Sequence, residues 1–139
     1  MIVLVGVSHR TAPVAVREAL AFPKDRMGEA LQRMREEASL DEAMILSTCN
    51  RVELYGHPRA GEDDEPAGDP ADLVESFLAR FHGRDRGALG QAVYRLSGTE
   101  AIRHAFRVAA SLESMVVGEP QILGQVKEAY HAAEAAGTL

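Results

Sequence analysis

The 139 residues include one cysteine, no tryptophan and only 5% aromatic side chains. A single cysteine excludes an intramolecular disulfide and fits a reducing compartment, so a cytoplasmic protein is expected. No apolar run reaches the ~18–20 residues that a membrane span needs, and no membrane partner is expected. The opening residues, Met1-Ile2-Val3-Leu4-Val5, have neither the basic lead nor the cleavage site of a signal peptide. There is no Gly-x-Gly-x-x-Gly after a strand and no phosphate loop, so no nucleotide site is expected. Nor is there zinc-ligand spacing among Cys49, His9, His57, His82, His104 and His131. Net positive charge is missing too. The balance is −6, which argues weakly against a nucleic-acid partner. Residues 62–75 nevertheless carry seven acids and no base, and setting their −7 aside leaves +1 for the remainder. One stretch holds the acidity, and the rest of the surface can still meet a phosphate backbone.

What is present is ordinary for a single globular domain: 46% hydrophobic and 26% charged residues. Ile2–Val7 is apolar and β-branched, which predicts a strand central in a sheet. Thr11 as N-cap and Pro13 in the first turn predict a short helix over 13–21, broken at Phe22-Pro23. Met27, Leu31 and Met34 predict a second helix over 24–37. Ala43–Leu46 and Val52–Tyr55 read as strands. The five residues between them are too few for a crossover, so the two are antiparallel neighbours. A solvated loop follows over 58–70. Asp69-Pro70 then opens a helix carrying Leu73, Phe77 and Phe81. A fourth strand is expected over 92–96 and two closing helices over 98–112 and 119–136.

This order predicts an α+β fold: a ferredoxin-like split β-α-β antiparallel sheet with helices on one face. The core spans about residues 1–97, and a helical extension covers about 98–139. The chain stops where a helix stops, which suits a domain cut from a longer protein.

Cys49 is the chemically distinctive residue. A lone cysteine is more often a buried structural thiol. Cys49, however, lies past the end of an apolar strand, between Ser47-Thr48 and Asn50-Arg51. A turn there exposes the sulfur, and Arg51 favours the thiolate electrostatically. From the residues alone, a structural thiol and a nucleophile weigh about equally. Arg51 is either a solvated strand-end charge or a bidentate anchor for a carboxylate. His104 falls with Glu100, Arg107 and Ser111 opposite the stripe Ala101, Ala105, Val108, Leu112. It is either solvated or an acid–base group that meets the Cys49 turn. In the last helix Gln121, Gln125 and Glu128 lie beside the apolar line Ile122, Val126, Ala129, Ala133, as a solvated face or as ligand-orienting amides.

Three co-linear segments, 6–13, 46–55 and 115–127, resemble the N-terminal catalytic domain of glutamyl-tRNA reductase over nearly the whole chain outside the acidic loop. That resemblance implies that Cys49 attacks the aminoacyl ester of glutamyl-tRNA and forms a thioester. NADPH then reduces the thioester to glutamate-1-semialdehyde, the first committed step of tetrapyrrole synthesis. It implies substrate-binding positions at Thr48, Asn50 and Arg51, and again at Ser114, Glu119, Pro120, Gln121 and Gln125. His104 matches a histidine important for activity. It implies, too, an NADPH-binding Rossmann domain and a helical dimerisation domain beyond this chain, a homodimer, and hand-over of product to glutamate-1-semialdehyde aminomutase. The stretch Ala110-Ser111-Leu112-Glu113-Ser114 departs from the family's usual Ser-Gly-Leu-Asp-Ser, which predicts an altered local backbone. The rival expectation is a ferredoxin-like regulatory or ligand-binding module whose cysteine senses oxidants.

Overall fold

A computed structural model describes residues 1–59, 68–110 and 121–139. Four strands form one antiparallel sheet in the order β2-β3-β1-β4: β1 is Val3–Ser8, β2 Leu40–Ser47, β3 Arg51–Pro58 and β4 Tyr94–Ser97. Strand β1 is buried along its whole length because it pairs with β3 on one side and β4 on the other. The β2–β3 hairpin is antiparallel, with Ser47 opposite Val52. The fold class is therefore α+β, as expected.

The side chains of β1 and β3 alternate between two covered faces. Val3, Val5, Val7, Val52 and Leu54 point to one face. There they meet α2 (Met27–Glu37) through Leu31 and Met34, and α3 (Pro70–Phe81) through Val74, Phe77 and Leu78. Each such side chain, fully withdrawn from water, contributes about 1.5–3 kcal/mol. Asp69 caps α3 by accepting from the Ala71 N–H at 3.1 Å, with Pro70 at the first helical position.

The second face meets the helical extension. Helix α5 (Thr99–Ala109) crosses it, and α6 (Gln121–Ala135) runs against β2. Leu46 there packs with Val108, Ile122 and Ala129. Helix α5 thus lies on the face opposite α2 and α3, while α6 straddles the β2 edge, with Ile122 and Ala129 against Leu46 and Ala133 in the core on the other side. The α5 face carries the polar cluster described below.

Element boundaries differ from expectation by a few residues. Helix α1 spans only Val14–Ala19, with Pro13 in the N-cap position and no side-chain cap. Thr11 does not cap it. Its Oγ1 instead accepts from the Ser8 N–H at 3.0 Å and so closes the turn after β1. Lys24–Arg26 form a 3-10 turn before α2, and a short helix α4, Arg86–Leu89, precedes β4.

Candidate functional site

The hairpin turn is built by Thr48. Its Oγ1 accepts from the N–H groups of Asn50 at 3.2 Å and Arg51 at 3.1 Å, while its own N–H donates to the Arg51 carbonyl at 2.8 Å. These bonds satisfy the turn's backbone locally and leave the Cys49 side chain exposed. Three other segments fix the turn from outside. The His9 N–H donates to the Asn50 carbonyl at 2.9 Å, and the Phe22 N–H donates to Ser47 Oγ at 3.0 Å. From α1, the Arg17 guanidinium donates to the Cys49 carbonyl at 3.2 Å.

Past the turn, Arg51 enters the sheet. It is 2% exposed, which corrects the expectation of a solvated strand-end charge. Strand alternation sends Arg51, Glu53 and Tyr55 to the α5 face. Glu53 is fully buried, and three groups converge on its carboxylate. Tyr55 donates to Oε1 at 3.0 Å, Tyr94 donates to Oε2 at 2.6 Å, and His104 Nε2 lies 2.5 Å from Oε2. Arg51 Nη1 adds an ion pair at 3.6 Å.

Burial alone would push the Glu53 carboxyl up. The His104 hydrogen bond, the electrostatic pull of His104 and Arg51, and the Tyr94 hydroxyl outweigh it and hold the carboxyl below its ordinary range. The phenols of Tyr55 and Tyr94 shift far upward, through burial first and then the adjacent Glu53 charge. They remain protonated donors at any physiological pH. The cluster needs a glycine opposite Tyr94: a Cβ on Gly6 would lie 2.8 Å from the Val52 carbonyl oxygen and 3.0 Å from Glu53 Cγ.

His104 corrects a second expectation. It shares the spacing of Ala101, Ala105 and Val108 and faces the sheet, half-buried, rather than solvent. It reaches Glu53 beneath Arg51, and not Cys49. Gln125 meets the hairpin from the β2 edge. With Ser47, Phe22, Lys24, Met27 and Glu128 it lines a cavity of about 410 Å³. Gln121 is exposed one turn earlier. Ser114, Glu119 and Pro120 lie outside the described residues, as do Ser111 and Glu113. Thr48, Cys49, Asn50 and Arg51 thus form one turn, backed by His104 through Glu53 and flanked by Gln125. Sequence reasoning missed Glu53, Tyr55, Tyr94 and Arg17. The available signal was a lone carboxylate between Val52 and Leu54 in an apolar strand. Among the described residues, no group of three or more metal-ligating side chains forms.

Residues 5–139 match the family model for the glutamyl-tRNAGlu reductase N-terminal domain. Glutamyl-tRNA reductase of Solibacter usitatus is 49% identical over 138 residues, which cover 99% of this chain and 31% of that protein. The enzyme of the same name from Syntrophotalea carbinolica is 48% identical over 97% of the chain and 29% of its own length. Among solved structures, glutamyl-tRNA reductase from Methanopyrus kandleri matches with a TM-score of 0.72 and 38% identity, covering 99% of this chain and 29% of that one. The chain thus spans about 30% of the length of the relatives it matches. With the hairpin cysteine, the buried carboxylate and the sheet all in one matched segment, the chain belongs to the glutamyl-tRNA reductase N-terminal domain family.

Proposed function

We propose that this chain is the catalytic, glutamyl-binding domain of a glutamyl-tRNA reductase and that Cys49 is its acyl acceptor. The single observation that carries this reading is an exposed thiol on a turn whose every neighbour is pinned by hydrogen bonds. An aminoacyl ester is already activated, so a thiolate displaces the ribose hydroxyl without metal or ATP. The sulfur–carbon bond forms, the ester carbon–oxygen bond breaks, and the leaving ribose oxygen takes up a proton. Thr48 and Asn50 frame the glutamyl group. Arg51, held by Glu53, binds its side-chain carboxylate, and Gln121 and Gln125 contact the substrate from α6. His104 acts through Glu53 by fixing the orientation of Arg51, so it is a positioning residue in this reading. Ser114, Glu119 and Pro120 complete the substrate contacts by family resemblance alone.

The relatives' name implies a reductant, NADPH by family resemblance. The described residues do not fit a dinucleotide. The turn from β4 into α5 has one glycine, Gly98, the turn after β1 has none, and the strands are antiparallel. The chemistry assigned to this chain therefore ends at the thioester. Hydride transfer, dimerisation and hand-over of the semialdehyde to an aminomutase belong to our reading of the whole protein, as does a cytoplasmic location. We further read the β2-β3-β1-β4 order as the ferredoxin-like arrangement over residues 1–97, with 98–139 as its helical extension.

Incubating the chain with labelled glutamyl-tRNA tests the reading. The expected result is protein-bound glutamate that hydroxylamine releases and that a Cys49→Ser variant does not acquire. No label on the native chain, or equal label on the variant, sinks it. Peroxide sensitivity without acyl transfer would favour a redox sensor instead.

A further inference from the structure

Arg17 is 7% exposed and, among the described residues, no carboxylate pairs with it. Its Nη1 donates to the Cys49 carbonyl, while its Nε is buried with no hydrogen-bond partner. The other deeply buried arginine, Arg51, has Glu53 beside it at 3.6 Å. A desolvated cation without a counter-ion is costly, and a carbonyl dipole offsets only part of that cost. An anion formed next to such a cation is correspondingly stabilised. Arg17 touches the backbone of the one residue in the turn that becomes anionic.

Resting on the assignment of Cys49 as acyl acceptor, we propose that Arg17 is an electrostatic positioning residue of the acyl-transfer site. It holds the Cys49 peptide and supplies the counter-charge for the reaction. The thiolate begins with the negative charge on sulfur. As the sulfur–carbon bond forms, that charge moves to the carbonyl oxygen of the tetrahedral intermediate. As the carbon–oxygen bond breaks, it leaves on the ribose oxygen, which is protonated by water. One negative charge is thus present at every stage within the turn, and Arg17 is the cation fixed beneath it. Helix α1 is the element that carries this charge to the hairpin, which gives the Ala12–Leu20 segment a role in chemistry as well as in packing.

Alkylation of Cys49 by iodoacetate and by iodoacetamide tests this directly. The thiolate attacks the methylene carbon of either reagent and displaces iodide, so the ratio of the two rates cancels the thiolate fraction and reads the local potential. The native ratio should exceed that of the free peptide Ser47–Arg51. An Arg17→Met variant should lower the ratio by roughly three- to tenfold, and Arg17→Lys should preserve it. Acyl transfer from glutamyl-tRNA should fall roughly 100-fold in Arg17→Met and recover most of that loss in Arg17→Lys. A folded Arg17→Met chain with an unchanged ratio, or with acyl transfer within about twofold of native, overturns the proposal. Should Arg17→Met not fold, a native ratio no higher than the peptide's overturns it equally. Alkylation requires no glutamyl-tRNA, so that failure is separate from the absence of glutamyl label that would sink Cys49 itself.

Discussion

Glu53 and His104 are 51 residues apart in sequence, and their Oε2 and Nε2 atoms stand 2.5 Å apart across the sheet–helix interface. The contact ties α5 to the strand that follows the Cys49 turn, and it also places a carboxylate against Arg51. Glu53→Gln should therefore do more than remove one hydrogen bond. Glutamine keeps the volume and can still meet the two tyrosines, but it removes the carboxylate charge that stands 3.6 Å from buried Arg51. Breaking a buried pair in this way costs about 3–5 kcal/mol. Urea unfolding at neutral pH measures it.

The same residue sets an acid-stability window. The Glu53 carboxyl lies below its ordinary value of 4.5 in the folded chain. Its contribution is complete above that value and is lost as pH falls through the lower, folded one. Native stability should drop more steeply than that of Glu53→Gln below about pH 4.5. Parallel curves for the two proteins would remove Glu53 from the account.

Gly6 is a steric test of the cluster. The nearest atom to an added Cβ is the backbone carbonyl of Val52 at 2.8 Å, which cannot swing away as a side-chain tip could. Gly6→Ala should cost about 1–3 kcal/mol by overpacking and should push Glu53 and Tyr94 apart. Loss of thermal stability together with slower acyl transfer is expected. A variant that loses neither contradicts the geometry.

Much of the scaffold is legible in the sequence because it is written in local pattern. The apolar run Ile2–Val7, the short link between β2 and β3, and Asp69-Pro70 ahead of α3 each specify an element without help from afar. The exposed thiol follows from the same logic, since Thr48 and Asn50 favour a turn. Arg51 and His104 are harder to place because their environments are made by distant partners. Arg51 looks like a strand-end charge until the fold buries it beside Glu53. His104 sits at helical spacing with Ala101 and Val108, yet its polarity suggests the solvent side. Only Glu53, a charge inside an apolar strand, makes that inward histidine sensible. Thr11 misleads for a related reason: its hydroxyl serves the turn to Ser8, not the helix that begins at Val14. Arg17 carries no local mark, because its target is 32 positions away.

Thr48 separates turn geometry from fold stability. Its hydroxyl is the acceptor for two successive backbone N–H groups. Thr48→Ala leaves both without that acceptor, at a cost of about 1–2 kcal/mol. Water can reach part of this turn, so the fold should persist while Cys49 loses its fixed presentation. Acyl transfer should fall in Thr48→Ala and be restored in Thr48→Ser, with far-ultraviolet circular dichroism unchanged in both. Restoration by serine is the discriminating result, because only the hydroxyl is shared.

His82 gives a second pH dependence in a different window. Its ring stands edge-on to Phe22 at 4.7 Å and Phe81 at 5.1 Å. Burial first, and then the charges of Arg26 and Arg84, lower its pKa from 6.5 to about 4. The unfolded chain therefore takes up a proton as pH falls below 6.5, while the folded chain does so only near 4. Its stabilising contribution is complete above 6.5 and is lost as pH falls from there through about 4. In that interval native stability should decline with up to one proton's slope, and His82→Gln should flatten the decline. Glu53→Gln should leave the slope between pH 7.5 and 5 untouched, because the Glu53 window opens only below about 4.5. Urea midpoints at pH 7.5, 5 and 3.5 for the three proteins resolve the two windows. An unaltered slope between pH 7.5 and 5 in His82→Gln would assign the decline to another group.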